Sequence, residues 1–306
     1  GALRERVGQG GTALVEGWRG DWIAAHQATC EATQVQGTQS AELLDVRMYC
    51  LDQRAAEMNA LLTQVEDNQL QQSLATAMAE LPALSRCSNI EVMVGASLPP
   101  ESARPVQDSL AEARALVVSG QYEKGSEVLE RLAKHKEAVG YEALRAEIEV
   151  VHAQALWRLG RLGAAKESAI HALAHSQASR SDYVAADAWL ALLGLAVDTG
   201  IFDLAIERAR LADGAIRRLG APAELRARYL HSEGVLLYNL GEEDRALSSL
   251  EEALELRLEL YGEQHSYVAS THTSLGNLYR ARGRLDLALE HHRKAMDIDV
   301  QLLGAE

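Results

Sequence analysis

Gly283-Arg-Leu285-Asp-Leu-Ala288 is the last of five copies of one short phrase, and this phrase decides the fold. Each copy begins with glycine, usually has a large apolar residue two positions later, and has a small residue five positions later. The junction glycines are 40, 40, 41 and 42 residues apart. A fixed period of this length is the signature of a repeat array. The other copies are Gly120-Gln-Tyr122-Glu-Lys-Gly125, Gly160-Arg-Leu162-Gly-Ala-Ala165, Gly200-Ile-Phe202-Asp-Leu-Ala205 and Gly241-Glu-Glu243-Asp-Arg-Ala246.

Apolar residues recur at helical spacing on both sides of each junction glycine, as in residues 227–240 and 246–260. Each repeat is therefore predicted to be a pair of helices. The glycine ends the first helix because it adopts a left-handed backbone at little steric cost. The small residue that follows lets the two backbones pack closely. Because one helix pair cannot bury both of its faces alone, neighbouring pairs are predicted to stack.

These positions resemble those of the tetratricopeptide repeat, and the resemblance covers five repeats between about Arg104 and Gly304. It implies an all-α protein whose repeats form a right-handed α-solenoid. Two positions depart from the pattern, since Glu243 stands at the large apolar position and Leu193 stands where a small residue is usual. The period above thirty-four and the junction Gly262-Glu-Gln-His265, which is expected to open the next helix, resemble the kinesin light-chain type of repeat.

Composition fits a helical protein and excludes several classes of function. Hydrophobic residues make up 47% of the chain, with one Phe and five Pro, which suits helices better than a large sheet. The net charge of −14 argues against a nucleic-acid partner, because such binding depends on Lys and Arg. The sequence contains no apolar stretch long enough to span a membrane, so no direct membrane insertion is predicted. No Cys-x-x-Cys spacing occurs, and we predict neither a metal nor a cofactor.

Residues 1–96 lack the repeat and are predicted to form a separate helical domain of about three long helices. The Pro-rich stretch 97–105 is the predicted linker, because Pro99-Pro100 cannot continue a helix. The repeat array is predicted over residues 106–304. The three N-terminal helices are expected at about 12–35, 39–66 and 68–84.

Two N-terminal segments carry a second pattern, in residues 29–51 and in Leu81-Pro-Ala-Leu-Ser-Arg-Cys87. The first contains Thr29-Cys-Glu-Ala-Thr-Gln-Val35 and Leu43-Leu-Asp-Val-Arg47. Both resemble the region after the catalytic domain of serine/threonine protein kinases from myxobacteria and relatives. The resemblance implies a membrane-anchored parent kinase with this region on the extracytoplasmic, periplasmic side; a cytoplasmic location is the alternative. The kinase motifs themselves do not occur in this sequence, so we expect a non-catalytic piece of a longer protein.

All three cysteines lie in the N-terminal part. If the second and third helices are antiparallel about residue 67, Cys50 and Cys87 lie at similar height, 17 residues before the turn and 20 after it. This favours a Cys50–Cys87 disulfide, with Cys30–Cys87 as the rival pairing. In a reducing compartment all three would instead be buried small apolar residues.

In stacked repeats of this type, the first helix of each pair lines the concave surface of the array. Counting back from the junction glycines predicts which side chains face that surface. Their aromatic and amide groups suit an extended or helical peptide, although Trp157 and Tyr238 could instead pack between repeats. The leading hypothesis is a sensor or scaffold segment of a receptor-like kinase that binds a protein or peptide. The alternative is a homo-oligomerisation module that dimerises the kinase without a ligand. The candidates are Gln154, Trp157, Arg158, Asp198, His231, Tyr238, Asn239, Thr273, Asn277 and Arg280.

Overall fold

The computed structural model describes residues 2–67, 70, 72–93, 98–135, 138 and 140–303, and every regular element among them is helical. The all-α prediction is therefore confirmed, and the chain belongs to the α-solenoid class of stacked helix pairs. It divides into two compact units, Gly1–Val184 and Ala185–Glu306. We call these unit 1 and unit 2.

Among the described residues, three N-terminal helices and a four-residue helix, Ile90–Met93, precede five helix pairs that form the repeats, and 3-10 turns occur at Leu84–Ser88 and Glu101–Ala103. The N-terminal helices are α1 (Ala2–Gln34), α2 (Ala41–Glu66) and α3 (Leu74–Glu80). The repeats are α4 (Arg104–Val118) with α5 (Tyr122–Ala133), α6 (Glu142–Arg158) with α7 (Leu162–Ser179), α8 (Asp182–Asp198) with α9 (Phe202–Arg218), α10 (Ala223–Asn239) with α11 (Glu243–Tyr261), and α12 (Ser266–Ala281) with α13 (Leu285–Leu303).

All five junction glycines have a left-handed backbone, with φ between 70° and 91°. At each junction the N–H of the residue after the glycine donates back to a carbonyl in the last turn of the first helix. In the fourth repeat Glu242 N donates to Leu237 O at 2.9 Å, and in the fifth Arg284 N donates to Tyr279 O at 2.9 Å. This is the Schellman motif, a helix ending that glycine favours. It confirms the prediction that each junction glycine ends the first helix of its repeat.

The small residues after the junctions are buried, as close packing of the two helices requires. They are Gly125, Ala165, Ala205, Ala246 and Ala288.

The packing also explains why Leu193 departs from the repeat pattern. In the fourth repeat, Gly234 of α10 faces Leu250 of α11 so closely that a Cβ on the glycine would lie 2.7 Å from Leu250 Cγ. In the third repeat the sizes are exchanged: Leu193 is fully buried, and Ala209 takes the position that Leu250 has in the next repeat. Core volume is conserved across the pair, which is why both arrangements are compatible with one fold.

The predicted third N-terminal helix, 68–84, is shorter in the structure. Ser73 caps the start of α3 by accepting a hydrogen bond from Thr76 N, and residues 68, 69 and 71 lie outside the described residues. At the other end Leu81 is extended, with ψ of 150°, because the residue before a proline, here Pro82, is driven out of the helical region. A short 3-10 turn at Leu84–Ser88 follows.

The N-terminal helices pack onto the first repeat within unit 1. Residues Met58, Leu61 and Val65 of α2 share one buried apolar cluster with side chains of α3 and with Ala115 and Val118 of α4. The predicted 1–96 domain is thus anchored on the repeats, and its independence as a folding domain stays a prediction. Among the described residues, no helix combines the length and apolar character needed to cross a membrane.

Candidate partner-binding face

Side chains located 13, 10, 6, 3 and 2 residues before a junction glycine lie on one side of each first helix, within about 100° of rotation. We call this side the first-helix face. It contains all ten of the predicted groove residues. Those of the second repeat belong to unit 1, and those of the third, fourth and fifth repeats belong to unit 2.

In unit 1 the chain's own helices α2 and α3 contact this face. Three polar contacts join them to α4 and α6, at the positions 13, 6 and 2 residues before the junction glycines. Gln107 Nε2 donates to Tyr49 Oη at 2.5 Å, Arg114 Nε lies 2.9 Å from Glu57 Oε1, and Arg158 Nη2 donates to Glu80 Oε1 at 3.1 Å.

The centre of this contact is a buried ion cluster. Glu57 is 4% exposed and also accepts a hydrogen bond from Arg54 Nη2 at 3.0 Å, while Arg114 Nη2 donates to Glu147 Oε2 at 3.3 Å. Burial lowers the pKa of Arg54, and the charges of Glu57 and Glu147 act against that shift. Two arginines and two glutamates balance one another, which is the condition for burying such charges.

A disulfide links the N-terminal half of α2 to the 3-10 turn that follows α3. Cys50 Sγ and Cys87 Sγ are bonded, with the two Cα atoms 5.6 Å apart, and Cys30 is free. Next to it Arg47 Nε donates to the backbone oxygen of Cys87 at 3.1 Å. This is the pairing that the sequence analysis favoured over Cys30–Cys87, and a thiol count on the protein tests it.

In unit 2 the same face carries an ion pair and a neutral histidine. Arg228 Nη1 donates to Asp187 Oδ1 at 2.5 Å, which links α10 to α8. His231 is half-buried, with Nε2 3.5 Å from Ser270 Oγ. Burial, with the charge of Arg257 beside it, lowers the pKa of His231 to about 3. The imidazole is therefore uncharged at neutral pH.

Arg257 holds the start of α12 against α11. It is 4% exposed, and Nη1 donates to Tyr267 O and to Thr271 Oγ1, both at 2.7 Å. His265 caps α12, as expected, because its Nδ1 accepts a hydrogen bond from Tyr267 N. Burial lowers the pKa of Arg257 to about 10, so the guanidinium stays charged at neutral pH. It therefore keeps its hydrogen bonds to α12, one of the helices that carry the first-helix face.

The predicted groove residues fall into distinct environments. In unit 1 Arg158 is held by α3, and Gln154 and Trp157 are half-buried. In unit 2 Tyr238 packs against the buried cluster of α10, α11 and α12, so its ring belongs partly to the repeat packing. The others on unit 2 are half-buried or exposed, and two of them bond to their own helix. Thr273 Oγ1 donates to Ala269 O at 3.1 Å, and Asn239 Nδ2 donates to Val235 O at 3.0 Å.

Sequence reasoning missed the residues one turn earlier on the face, 13 positions before each junction. Each makes a contact between helices, and they are Gln107, Glu147, Asp187, Arg228 and Ser270. Extending the repeat register by one turn would have identified them. No sequence signal assigned α2 and α3 to this face.

In the part of the chain that the structure describes, no three His, Cys, Asp or Glu side chains come together as a metal site would require.

Comparison with known proteins agrees with the repeat fold. Residues 225–299 match the family profile of the tetratricopeptide repeat. The crystal structure of BtubC (BKLC) from P. vanneervenii is similar, with 21% identity and a TM-score of 0.51, over 72% of this chain and 92% of that chain. A putative kinesin light chain with nearly identical TPR-like repeats, from Podospora anserina, aligns at 18% identity and a TM-score of 0.48, over 66% and 98%. No curated protein sequence matches the chain significantly.

These similarities concern the fold and not a particular partner. Tetratricopeptide-like repeats generally mediate protein interactions or scaffolding, and the fold is typically non-catalytic. Their stacked helices offer extended surfaces for this purpose.

Proposed function

We propose that this chain is a non-catalytic protein-binding segment that holds a helical part of a partner on the first-helix face of α8, α10 and α12. One observation carries the proposal: within unit 1, α2 and α3 already pack on the corresponding face of α4, and Glu80 of α3 contacts Arg158 of α6. A face that accepts helices in the first repeat has the spacing to accept one in the later repeats, because all five repeats share one register. Helix-in-groove binding is a common form of peptide recognition.

The equivalent positions indicate the chemistry of the partner helix. Arg114, which holds Glu57, corresponds to Asn277, since each lies six residues before its junction glycine. Arg158, which holds Glu80, corresponds to Asn239. The amides of Asn277 and Asn239 favour polar uncharged side chains or backbone ends on the partner. The other repeats of unit 2 have Gly194 and Val235 at the first of these positions, and Asp198 and Ala281 at the second. Arg280 is the exposed cation that a partner carboxylate would contact.

The finer hypothesis is that the chain belongs to a receptor-like serine/threonine kinase of the myxobacterial type and serves as its sensor region. Its support is the resemblance of residues 29–51 and 81–87, together with the Cys50–Cys87 disulfide. A structural disulfide suits an oxidising compartment, which is why we place this region on the extracytoplasmic side. Binding of a partner would then be coupled to the kinase domain of the parent.

The binding face is tested with helical peptides selected from a displayed random library on the immobilised chain. The affinity of the selected peptide is measured by fluorescence anisotropy for Asn277→Ala and Arg280→Ala. The matched control is Arg210→Ala, an exposed arginine on the second helix α9. We expect a loss of about tenfold for each face variant, the size of a typical contributing interface residue, and no loss for the control.

All variants must keep the thermal midpoint of the unaltered chain, so that a loss of affinity reports the contact. If the selected peptides bind both face variants as tightly as the unaltered chain, the partner is held elsewhere and the proposal is wrong. Failure of a large library to yield any binder would also count against it.

A further inference from the structure

Two histidines of the last repeat face each other between α12 and α13. His272 Nδ1 and His291 Nδ1 are 3.0 Å apart, and the centroids of the two rings are 5.1 Å apart. His272 is 8% exposed, and His291 is half-buried. A hydrogen bond between two neutral imidazoles uses one N–H and one nitrogen lone pair. When both rings carry their proton on Nε2 instead, both Nδ1 lone pairs are free to bind a cation.

The repeat fold does not require histidine at either position. The equivalent residues of the fourth repeat, 42 positions earlier, are Leu230 and Ser249. Both are buried, with exposed fractions of 2% and 8%, so an apolar and a small polar side chain fill the same positions there. Placing polar ring nitrogens at such positions costs free energy. The histidine pair of the fifth repeat therefore indicates a role other than packing.

We propose that His272 and His291 bind one divalent transition-metal cation, with Zn²⁺ as the representative, through their two Nδ1 atoms and with water as the remaining ligands. Imidazole nitrogen suits zinc, copper and nickel. Zn–N bonds of about 2.0–2.1 Å at a tetrahedral angle separate two nitrogen atoms by about 3.3 Å. The observed separation of 3.0 Å is about 0.3 Å shorter, and small rotations of the two rings supply the difference.

The surroundings of the pair hold one ring in place and keep both rings neutral. Tyr279 of α12 stacks on His291, with centroids 5.3 Å apart and ring planes 28° apart. Burial, with the charge of Lys294, lowers the pKa of His291, and burial also lowers the pKa of His272. Neutral imidazole is the form that binds a metal. Glu290 lies 2.7 Å from Lys294 and offsets its charge next to the pair.

The number of ligands sets the expected strength of the site. Structural zinc sites are closed by four protein ligands, and no cluster of three metal-binding side chains occurs among the described residues. Two imidazoles therefore hold a cation that exchanges with solution and that links α12 to α13 while it is bound. The proposal uses no residue of the first-helix face and is independent of the proposed function.

The site is tested by isothermal titration calorimetry of the whole chain with ZnCl₂, on protein made without a histidine tag and freed of metal with a chelator. We expect one Zn²⁺ per chain. His272→Gln and His291→Gln should each weaken binding by more than about tenfold, because the loss of even an outer-shell partner costs about 10–100-fold. The control is His171→Gln, which alters an exposed histidine of α7 and should leave the affinity unchanged. It also breaks the His171 and His175 pair, a second place where two imidazoles share one helix face.

Saturating Zn²⁺ should also raise the urea midpoint of the unaltered chain and leave that of His272→Gln unchanged, because only the folded repeat holds both rings together. If His272→Gln lowers the helical signal, His291→Gln at the half-buried ring decides the question. An affinity weaker than about 1 mM, or binding that both variants keep, would overturn the proposal and leave the two rings joined by a hydrogen bond only. Binding that His171→Gln abolishes would place the cation on α7 and would also overturn it.

Discussion

Replacing Gly234 by alanine tests the close approach of α10 and α11 on which the repeat fold depends. A Cβ at this position would lie 2.7 Å from Leu250 Cγ, 2.9 Å from Leu250 Cδ2 and 3.4 Å from Ala246 O. Favourable carbon–carbon contacts lie at about 3.5–4.0 Å. Leu250 is 1% exposed and is surrounded by other buried leucines, so it cannot rotate away, and the helices must move apart.

The matched control is Gly214→Ala on α9. Gly214 is also inside a helix, but its Cβ would meet nothing within 4 Å. Both substitutions gain about 1 kcal/mol of helix propensity, and only Gly234→Ala adds the clash, which costs about 1–3 kcal/mol for overpacking. The propensity gain cancels in the comparison. Gly234→Ala should therefore be less stable than Gly214→Ala by about 1–3 kcal/mol.

Urea unfolding followed by far-UV circular dichroism measures this difference, because both sites lie in unit 2 and report on the same transition. Gly214→Ala should raise the midpoint above that of the unaltered chain. Equal midpoints for the two variants, or a higher midpoint for Gly234→Ala, would refute the close-packing argument.

Two further predictions concern the cysteines and the histidines. When the chain is denatured without reductant, one free thiol should be titrated. Three free thiols would show that all three cysteines are reduced. Cys50→Ser opens a link between residues 37 apart and should cost about 2–4 kcal/mol, whereas Cys30→Ser should cost little. Burial, with the charge of His291, lowers the pKa of His272 to about 4, below the ordinary value near 6.5. The neutral ring thus stabilises the fold fully above pH 6.5, and this stability is lost as the pH falls toward 4. His272→Gln should therefore show a smaller drop in urea midpoint between pH 7 and pH 5 than the unaltered chain.

The repeat fold could be predicted from sequence because its determinants are local. A left-handed backbone at Gly241 and a small side chain at Ala246 are needed wherever two helices turn back on each other, and both needs appear as fixed residue types. The departure at Leu193 obeys the same packing requirement, because the small side chain of Ala209 on the second helix leaves room for the larger one on the first.

The candidate site could be predicted only in part, because it depends on contacts between distant segments. Counting from the glycines identifies which side chains share a face, but not that Glu57 lies against Arg114 or Glu80 against Arg158. Those contacts depend on where α2 and α3 pack, and no repeated pattern encodes that. The third N-terminal helix was predicted, but its end at residue 84 is wrong for a local reason, because Pro82 drives Leu81 out of the helical region.

Hydrogen exchange on the whole chain, with and without a selected helical peptide, tests the central claim most directly. The account predicts that the peptide slows amide exchange in α8, α10 and α12 and leaves α4 unchanged, because α2 and α3 already cover the face of α4. Slowed exchange in α4 together with faster exchange in α2, or an effect confined to the second helices, would contradict it.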